Sequence, residues 1–193
     1  MPRIVDSAVR RGEIRAAALR VFARRGVAST GLVAVAEAAG VGRSSLYHYY
    51  TDKSDLVGDL VASLLADEER LFSEAAAAEG SPLDRIEALV GDLVGLFDEW
   101  SVVGRALLEL RALERVRFRR FFRRIRESLA SLISAGQRRG EVDPDVDPVL
   151  CAATLIGAVD GLLLQHFVDP RAFDDRAALH RALVHAVRGM LRA

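Results

Sequence analysis

The side chains best suited to chemistry lie close together, between residues 43 and 53. They are hydrogen-bonding groups of the kinds that contact bases and phosphates in nucleic acids: Arg43, Ser44, Ser45, Tyr47, His48, Tyr49 and Lys53. A guanidinium can form two hydrogen bonds with guanine in the major groove, while hydroxyl and ammonium groups bind phosphate oxygens. The stretch therefore predicts contacts with double-stranded DNA. The alternative is a plain helical hairpin whose tyrosines pack internally.

The residues before this stretch have the spacing of a helix-turn-helix. Ala36 is small enough to let two helices approach each other, and Gly40 can adopt the left-handed conformation that ends the first helix. Val41 and Leu46 are apolar and can fix the crossing of the two helices. The pattern predicts that residues 43–49 form the second, DNA-reading helix.

Four segments with consistent spacing extend this pattern. They are IRAAALRVFARRG at 14–26, VAEAAGV at 35–41, SLYHYY at 45–50 and DKSDL at 52–56. With them the sequence resembles the TetR family of bacterial transcriptional regulators. The resemblance implies a three-helix DNA-binding domain, a larger helical domain, and a homodimeric repressor of nearby genes. It also implies a small molecule that changes the spacing of the two reading helices and releases DNA.

Two positions depart from the family pattern. The family usually has Thr or Ser at the position of Gly31, so the next helix is capped either by Thr30, one residue early, or less well by Gly31. Val33 and Ala34 are apolar where the family often has polar residues. We therefore expect few phosphate contacts from the first helix of the motif.

The distribution of charge supports the same segment. The net charge of the 193 residues is zero, but residues 1–55 contain nine basic and five acidic side chains, a net of +4, which leaves −4 for the rest. A positive field over the reading helix attracts DNA phosphates. Arg3, Arg10 and Arg11 are candidates for a phosphate-binding arm.

Other functional classes find little support in the sequence. The four histidines form no metal-binding pair, the glycines form no phosphate loop, and Cys151 is the only cysteine. We predict no enzymatic activity, cofactor or metal. No membrane association is expected either, since no stretch looks long enough to cross a membrane, and a cytoplasmic location is predicted. A helical adaptor or an unrecognised all-helical enzyme remains the alternative.

Helical periodicity throughout predicts an all-α fold, with a DNA-binding domain at 1–55 and an effector-binding and dimerisation domain at 56–193. Predicted helices cover 7–25, about 54–77, 82–100, 102–111, 113–138, 148–167 and 171–191 outside the motif. Ser81 and Asp147, each followed by proline, are predicted caps. The arginines at 115–126 are interpreted either as a solvated face or as an anion-binding surface.

Two further sites are predicted in the second domain. An apolar or amphipathic organic effector is expected to contact Phe97, Trp100, Leu107, Phe118, Phe121 and Phe122. Glu109, Arg111 or His166 can offer it a polar contact. A homodimer interface resembling that of the family is expected at Thr154, Gly157, Ala158, Gly161, Leu179, Leu183 and Val187, with packing inside the chain as the alternative.

Overall fold

The computed structural model describes residues 7–110, 118–169 and 171–192, which form helices and no strand. The helices are α1 (Ser7–Arg25), α2 (Leu32–Ala39), α3 (Arg43–Tyr49), α4 (Lys53–Ala77), α5 (Pro82–Gly95), α6 (Phe97–Leu110), α7 (Phe118–Arg138), α8 (Pro148–Val168) and α9 (Arg176–Leu191). The predicted all-α class is confirmed. The described residues form two compact units, 7–64 with 102–110 and 65–101 with 118–192; the predicted domain boundary near 55 stays a prediction.

The first unit is built on small and branched apolar side chains. On α1 the buried stripe is the predicted one, consisting of Ile14, Ala17, Ala18, Val21 and Phe22. Helix α1 packs against α2, and α2 packs against α3. The alanines on α1 and Ala36 on α2 leave room for the backbones to approach, so a core can form from short helices.

Helix ends in the second unit follow their capping residues. The Ser81 hydroxyl accepts a hydrogen bond from the Asp84 N–H, and Asp147 accepts from the N–H groups of Val149 and Leu150, as predicted. Helix α9 begins later than the predicted 171, because Asp175 caps it by accepting from the Ala178 N–H at 2.8 Å.

One predicted helix boundary is wrong. The sequence pattern placed the break after residue 100, but α5 ends at Gly95 and α6 begins at Phe97. Glycine is a poor helix former, and Asp98 and Glu99 in the next turn favour a new helix N-terminus, where the helix dipole attracts negative charge. Trp100 therefore lies in the first turn of α6, inside a helix.

The core of the second unit joins apolar faces of α5, α7, α8 and α9. Cys151 is buried there, which agrees with the prediction that it is a core residue. On α7 the described arginines flank a buried stripe, and Arg124 forms an ion pair with Glu69 at 2.8 Å. That pairing favours the solvated-face interpretation of this arginine; Arg115 and Arg117 lie outside the described residues.

Helix α8 is apolar but little buried. By length and composition it is able to cross a membrane, so the expectation that no stretch is long enough was wrong. Core helices of soluble proteins pass the same test when they are mostly buried, yet only 22% of this window is buried. Leu150 is 67% exposed and Val168 is 82% exposed. This helix therefore presents a wide apolar face that the described residues do not cover.

Candidate functional site

The turn between α2 and α3 has the geometry that the spacing predicts. Gly40 has φ +65°, and its N–H donates to the carbonyls of Ala36 and Glu37. The Val41 N–H donates to the Ala36 carbonyl at 3.0 Å. These bonds close α2 with a left-handed glycine, which any larger residue would adopt only with strain. The turn therefore fixes the direction in which α3 leaves.

Gly31, not Thr30, is the cap of α2. Its backbone is extended and it has no side chain that could accept a hydrogen bond, whereas the Thr30 hydroxyl donates to the Gly26 carbonyl at 2.7 Å. Thr30 is therefore occupied in closing the end of α1. The first N–H groups of α2 receive no side-chain cap.

Helix α3 has one buried face and one open face. Leu46 is fully buried, while Arg43, Ser44, Ser45 and His48 are exposed and Tyr47 is 44% exposed. The Arg43 guanidinium lies 6.0 Å from the centre of the Tyr47 ring, within cation–π range. Five of the seven residues predicted to contact DNA are thus accessible on α3. That they bind DNA stays a prediction for each of these residues.

The other two tyrosines belong to a packed cluster. Tyr50 is buried and its hydroxyl donates to Asp59 at 2.5 Å, while Arg15 donates to the same carboxylate at 3.2 Å. Arg11 lies over the rings of Tyr49 and Tyr50, 5.6 and 5.3 Å from their centres. Burial, and then the hydrogen bond to Asp59, raises the pKa of Tyr50.

This cluster alters two interpretations of the sequence. Tyr49 is half-buried, so only part of it is accessible to a phosphate. Of the predicted phosphate-binding arm, Arg11 is held at the tyrosines and Arg10 pairs with Glu13 at 2.6 Å. Arg3 lies outside the described residues. The cluster ties α1 and α4 to the end of α3, and sequence reasoning missed it because its residues lie in different elements.

Lys53 makes structural contacts. Its ammonium donates to the carbonyls of Val27 at 2.6 Å, Thr30 at 3.0 Å and Ala28 at 3.3 Å. These carbonyls follow the end of α1, where a positive charge is favourable. A phosphate contact by Lys53 would require the ammonium to leave these carbonyls, and the predicted DNA contact of Lys53 stays a prediction.

We expect Lys53→Met to lower the free energy of unfolding by about 1–3 kcal/mol, the range for losing charged hydrogen bonds to partly buried acceptors. Urea denaturation followed by circular dichroism measures this. Arg20→Met, which removes an exposed charge from the same unit, is the matched control and should change stability by less than about 0.5 kcal/mol. If Lys53→Met leaves stability unchanged but weakens DNA binding, Lys53 contacts a phosphate and its bonds to the carbonyls contribute little to stability.

The predicted effector contacts separate in the structure. Phe97 and Trp100 line a small cavity of about 20 Å³ in the second unit, which is partly open to solvent. Phe121 is buried in the core, and the half-buried rings of Phe118 and Phe122 lie 6.2 Å apart, tilted by 30°. Leu107 is buried in the first unit. That these residues contact an effector stays a prediction.

The same cavity carries two acidic side chains that sequence reasoning missed, Glu68 of α4 and Asp160 of α8. Desolvation raises the pKa of Glu68 to about 7; the nearby Trp100 indole lowers it and the charge of Asp160 raises it. Desolvation also raises the pKa of Asp160, at the exposed edge, to about 6. The sequence did contain signals for both. Glu68 follows Leu56, Leu60 and Leu64 at intervals of four residues and so lies on the apolar face of α4, and Asp160 is the only Asp, Glu, Lys or Arg in α8.

The polar contacts that the sequence suggested lie elsewhere. His166 is buried, with Nε2 3.5 Å from a carboxylate oxygen of Asp98, and Arg176 pairs with the same carboxylate. The side chain of Glu109 and all of Arg111 lie outside the described residues. Glu68 and Asp160 are therefore the acidic groups that the structure places at this cavity.

We expect Glu68→Gln to stabilise the protein at pH 8 by about 1–3 kcal/mol. The folded-state pKa of Glu68, about 7, exceeds the ordinary value of 4.5, so between these values the folded protein holds a proton that the unfolded chain has released. Its contribution to stability is therefore lost as pH rises through 7. Urea denaturation at pH 8 and pH 5.5 should show a gain that shrinks at the lower pH.

Glu69→Gln is the matched control, because the neighbouring Glu69 pairs with Arg124 instead. It should give no gain in stability at either pH. A Glu68→Gln protein that is less stable than the wild type at pH 8 would contradict the unfavourable burial of this carboxylate.

The predicted dimer residues divide into two groups. Thr154, Gly157 and Ala158 on α8 are exposed and Gly161 is half-exposed, and a Cβ added at either glycine would meet nothing within 4 Å. The α9 residues are buried in their own chain: Leu179, Leu183 and Val187. A partner can therefore reach the α8 residues, while those of α9 are used in packing inside the chain. The interface itself stays a prediction.

A helix-turn-helix unit and a larger helical unit are the architecture expected of a helix-turn-helix transcriptional regulator. Residues 14–60 match the profile described as bacterial regulatory proteins, tetR family, and residues 106–192 match the profile of the BetI-type transcriptional repressor, C-terminal. The chain belongs to the TetR family and is a DNA-binding transcriptional regulator.

Relatives and solved structures agree with this assignment. The transcriptional regulator TtgR of Pseudomonas putida is 28% identical over 181 residues, covering 85% of this chain and 83% of that protein. The regulator BetI of Ectopseudomonas mendocina is 26% identical, covering 92% of each. The fatty acid degradation regulator FadR of Bacillus halodurans has the same fold, with a TM-score of 0.73, 19% identity, and coverage of 95% and 96%.

These matches confirm the predicted family and the predicted ligand-responsive, DNA-binding repressor, and they do not favour the alternative of a helical adaptor or enzyme. The relatives are transcriptional regulators. The absence of enzymatic activity, the cytoplasmic location and the homodimer stay predictions.

Proposed function

We propose that the protein acts as a homodimer on a palindromic operator, with one α3 helix of each copy in successive major grooves. The observation that carries this is the open face of α3, backed by the fully buried Leu46 and Tyr50. A reading helix must present donors outward on a rigid base, and α3 does so. Arg43 contacts a base, while Ser44, Ser45, Tyr47 and His48 contact bases or phosphates.

The second copy is placed on α8. Its exposed Thr154, Gly157, Ala158 and Gly161 form a strip of small residues bordered by the exposed Leu150 and Leu164. A partner helix can approach such a strip closely and cover the apolar side chains around it. A homodimer through α8 supplies the two-fold symmetry that a palindromic operator requires.

The effector binds in the second unit, in the cavity at Phe97 and Trp100. A cavity of about 60 Å³ lined only by apolar side chains adjoins it, since Phe72, Leu93, Ile156 and Val159 line both. Such a lining suits an apolar or amphipathic organic molecule. The effector and the operator favour different conformations, so each weakens the binding of the other by the same factor.

A band-shift assay with DNA upstream of the protein's own gene tests the regulator, and selection from a random DNA pool supplies the operator. We expect a retarded complex whose selected sequence is an inverted repeat. Binding to neither the upstream DNA nor any selected sequence would exclude this proposal. Titrating an effector with and without operator then tests whether effector and operator weaken each other's binding by the same factor.

A further inference from the structure

The cavity at Trp100 combines apolar walls with two carboxyl groups. Glu68 and Asp160 are its only polar side chains besides the indole, and aromatic rings of Phe72, Phe97 and Trp100 line the remainder together with aliphatic groups. All belong to the second unit. Placing two carboxyl groups beside apolar walls costs free energy unless a partner interacts with them.

Neither carboxyl group has a basic partner among the described residues. Among the residues that the structure describes, no Lys, Arg or His nitrogen lies within 4 Å of Glu68 or Asp160, although ten such ion pairs form elsewhere. The Trp100 side chain is buried, and its Nε1–H lies near Glu68 but makes no hydrogen bond of good geometry with the described residues. In the described part of the chain, two carboxyl groups and one buried donor are thus left without partners at the same place.

We propose that this cavity binds an organic monocation with an apolar tail, the cationic head lying between Glu68 and Asp160 and against the Trp100 ring. The tail enters the adjoining apolar cavity past Phe72 and Leu93, which line both spaces. The inference rests on the proposed function, because this cavity is the proposed effector site.

Other ligand classes fit this site less well. A metal ion needs at least three strong ligands, and within the described ranges no group of three His, Cys, Asp or Glu side chains is suitably placed. An anion would be repelled by both carboxylates. A neutral molecule would leave the charges unpaired, whereas an alkylammonium head gains from the carboxylates and from the electron-rich faces of the rings.

Three ligands with the same eight-carbon tail separate these classes: octyltrimethylammonium, 1-octanol and octanesulfonate. Trp100 is the only tryptophan in the chain, so its fluorescence reports the cavity directly. At pH 8, where both carboxylates are ionised, we expect the ammonium to bind at least tenfold more tightly than the alcohol, and the sulfonate to bind most weakly. Equal affinities, or no binding of the ammonium, would overturn the proposal.

The variants Glu68→Gln and Asp160→Asn test the two carboxylates. Each should weaken octyltrimethylammonium binding severalfold, and the double variant at least tenfold, with 1-octanol affinity unchanged. Glu69→Gln is the control, because it removes a neighbouring charge that pairs with Arg124 outside the cavity. If the double variant binds the ammonium as tightly as the wild type does, the carboxylates do not select the ligand.

A second readout separates this inference from the effector function. Fluorescence anisotropy of labelled operator DNA measures release by the same three ligands. Release by all three irrespective of head group would support the effector site and overturn the cation preference. Ammonium-selective quenching of Trp100 without release of DNA would support the cation site and contradict its role as the effector site.

Discussion

Arg43→Ala is expected to weaken operator binding by about 10²- to 10⁴-fold. One bidentate contact between arginine and guanine contributes about 1–3 kcal/mol of discrimination, and a homodimer loses the contact in both half-sites. Arg43 is exposed at the first turn of α3, where its guanidinium is free to reach a base edge while it stacks near Tyr47. Fluorescence anisotropy on the selected operator and on an unrelated duplex, at one fixed salt concentration, measures the loss.

The comparison between the two duplexes defines the role of the side chain. Loss of a base contact lowers affinity for the operator far more than affinity for unrelated DNA, whereas loss of a phosphate contact lowers both equally. Arg43→Lys keeps the charge but not the fork of donors, so it should remain strongly impaired. Arg123→Ala removes an exposed arginine from α7 and is the control that should bind both duplexes normally. If Arg43→Ala lowers the affinity for both duplexes by the same factor, Arg43 contacts a phosphate and not a base.

Gly157→Arg is expected to give a folded monomer that binds the operator more than 100-fold more weakly. A Cβ at this position meets nothing within 4 Å in the chain itself, so the larger side chain fits the monomer. In a dimer it would lie in the strip of small residues against which the partner helix packs, and a buried unpaired charge is costly there. Sedimentation equilibrium measures the mass, and anisotropy measures the affinity.

Gly95→Arg is the matched control for this substitution. Gly95 is also an exposed glycine of a helix in the second unit, with free space around an added Cβ. It lies at the end of α5, away from the strip on α8, and should leave the dimer and its affinity unchanged. A Gly157→Arg protein that remains a dimer would place the interface elsewhere on the surface.

Local signals in the sequence predicted the DNA-reading part of the structure well. Gly40 forms the left-handed end of α2, and Leu46 is the buried anchor of α3, because both depend on interactions within a few residues. The caps at Ser81 and Asp147 followed from the same kind of local chemistry. The break at Leu96 was misplaced because the signals disagree by a few residues: Gly95 and the acidic Asp98 and Glu99 favour a break near residue 96, whereas the apolar pattern continues to Trp100.

Contacts between distant segments could not be predicted in this way. From its position beside the reading helix, Lys53 was predicted to contact a DNA phosphate. Only the folded chain brings its ammonium to carbonyls that lie 23 to 26 residues earlier in the sequence. The apolar face of α9 looked suited to a partner copy, but Leu183 and Val187 are used within the chain. The cavity combines side chains from the five helices α4 to α8, so Glu68 and Asp160 become one site only in three dimensions.

The anchoring of Lys53 makes it a natural monitor of how often the first unit opens. Lys53 is the only lysine in the chain, so apart from the terminal amine it is the single target for amine-reactive reagents. Three carbonyls hold its ammonium, and acylation requires a neutral amine that has left them. The rate of acylation therefore counts opening events at the end of α1, as amide exchange does for a backbone N–H.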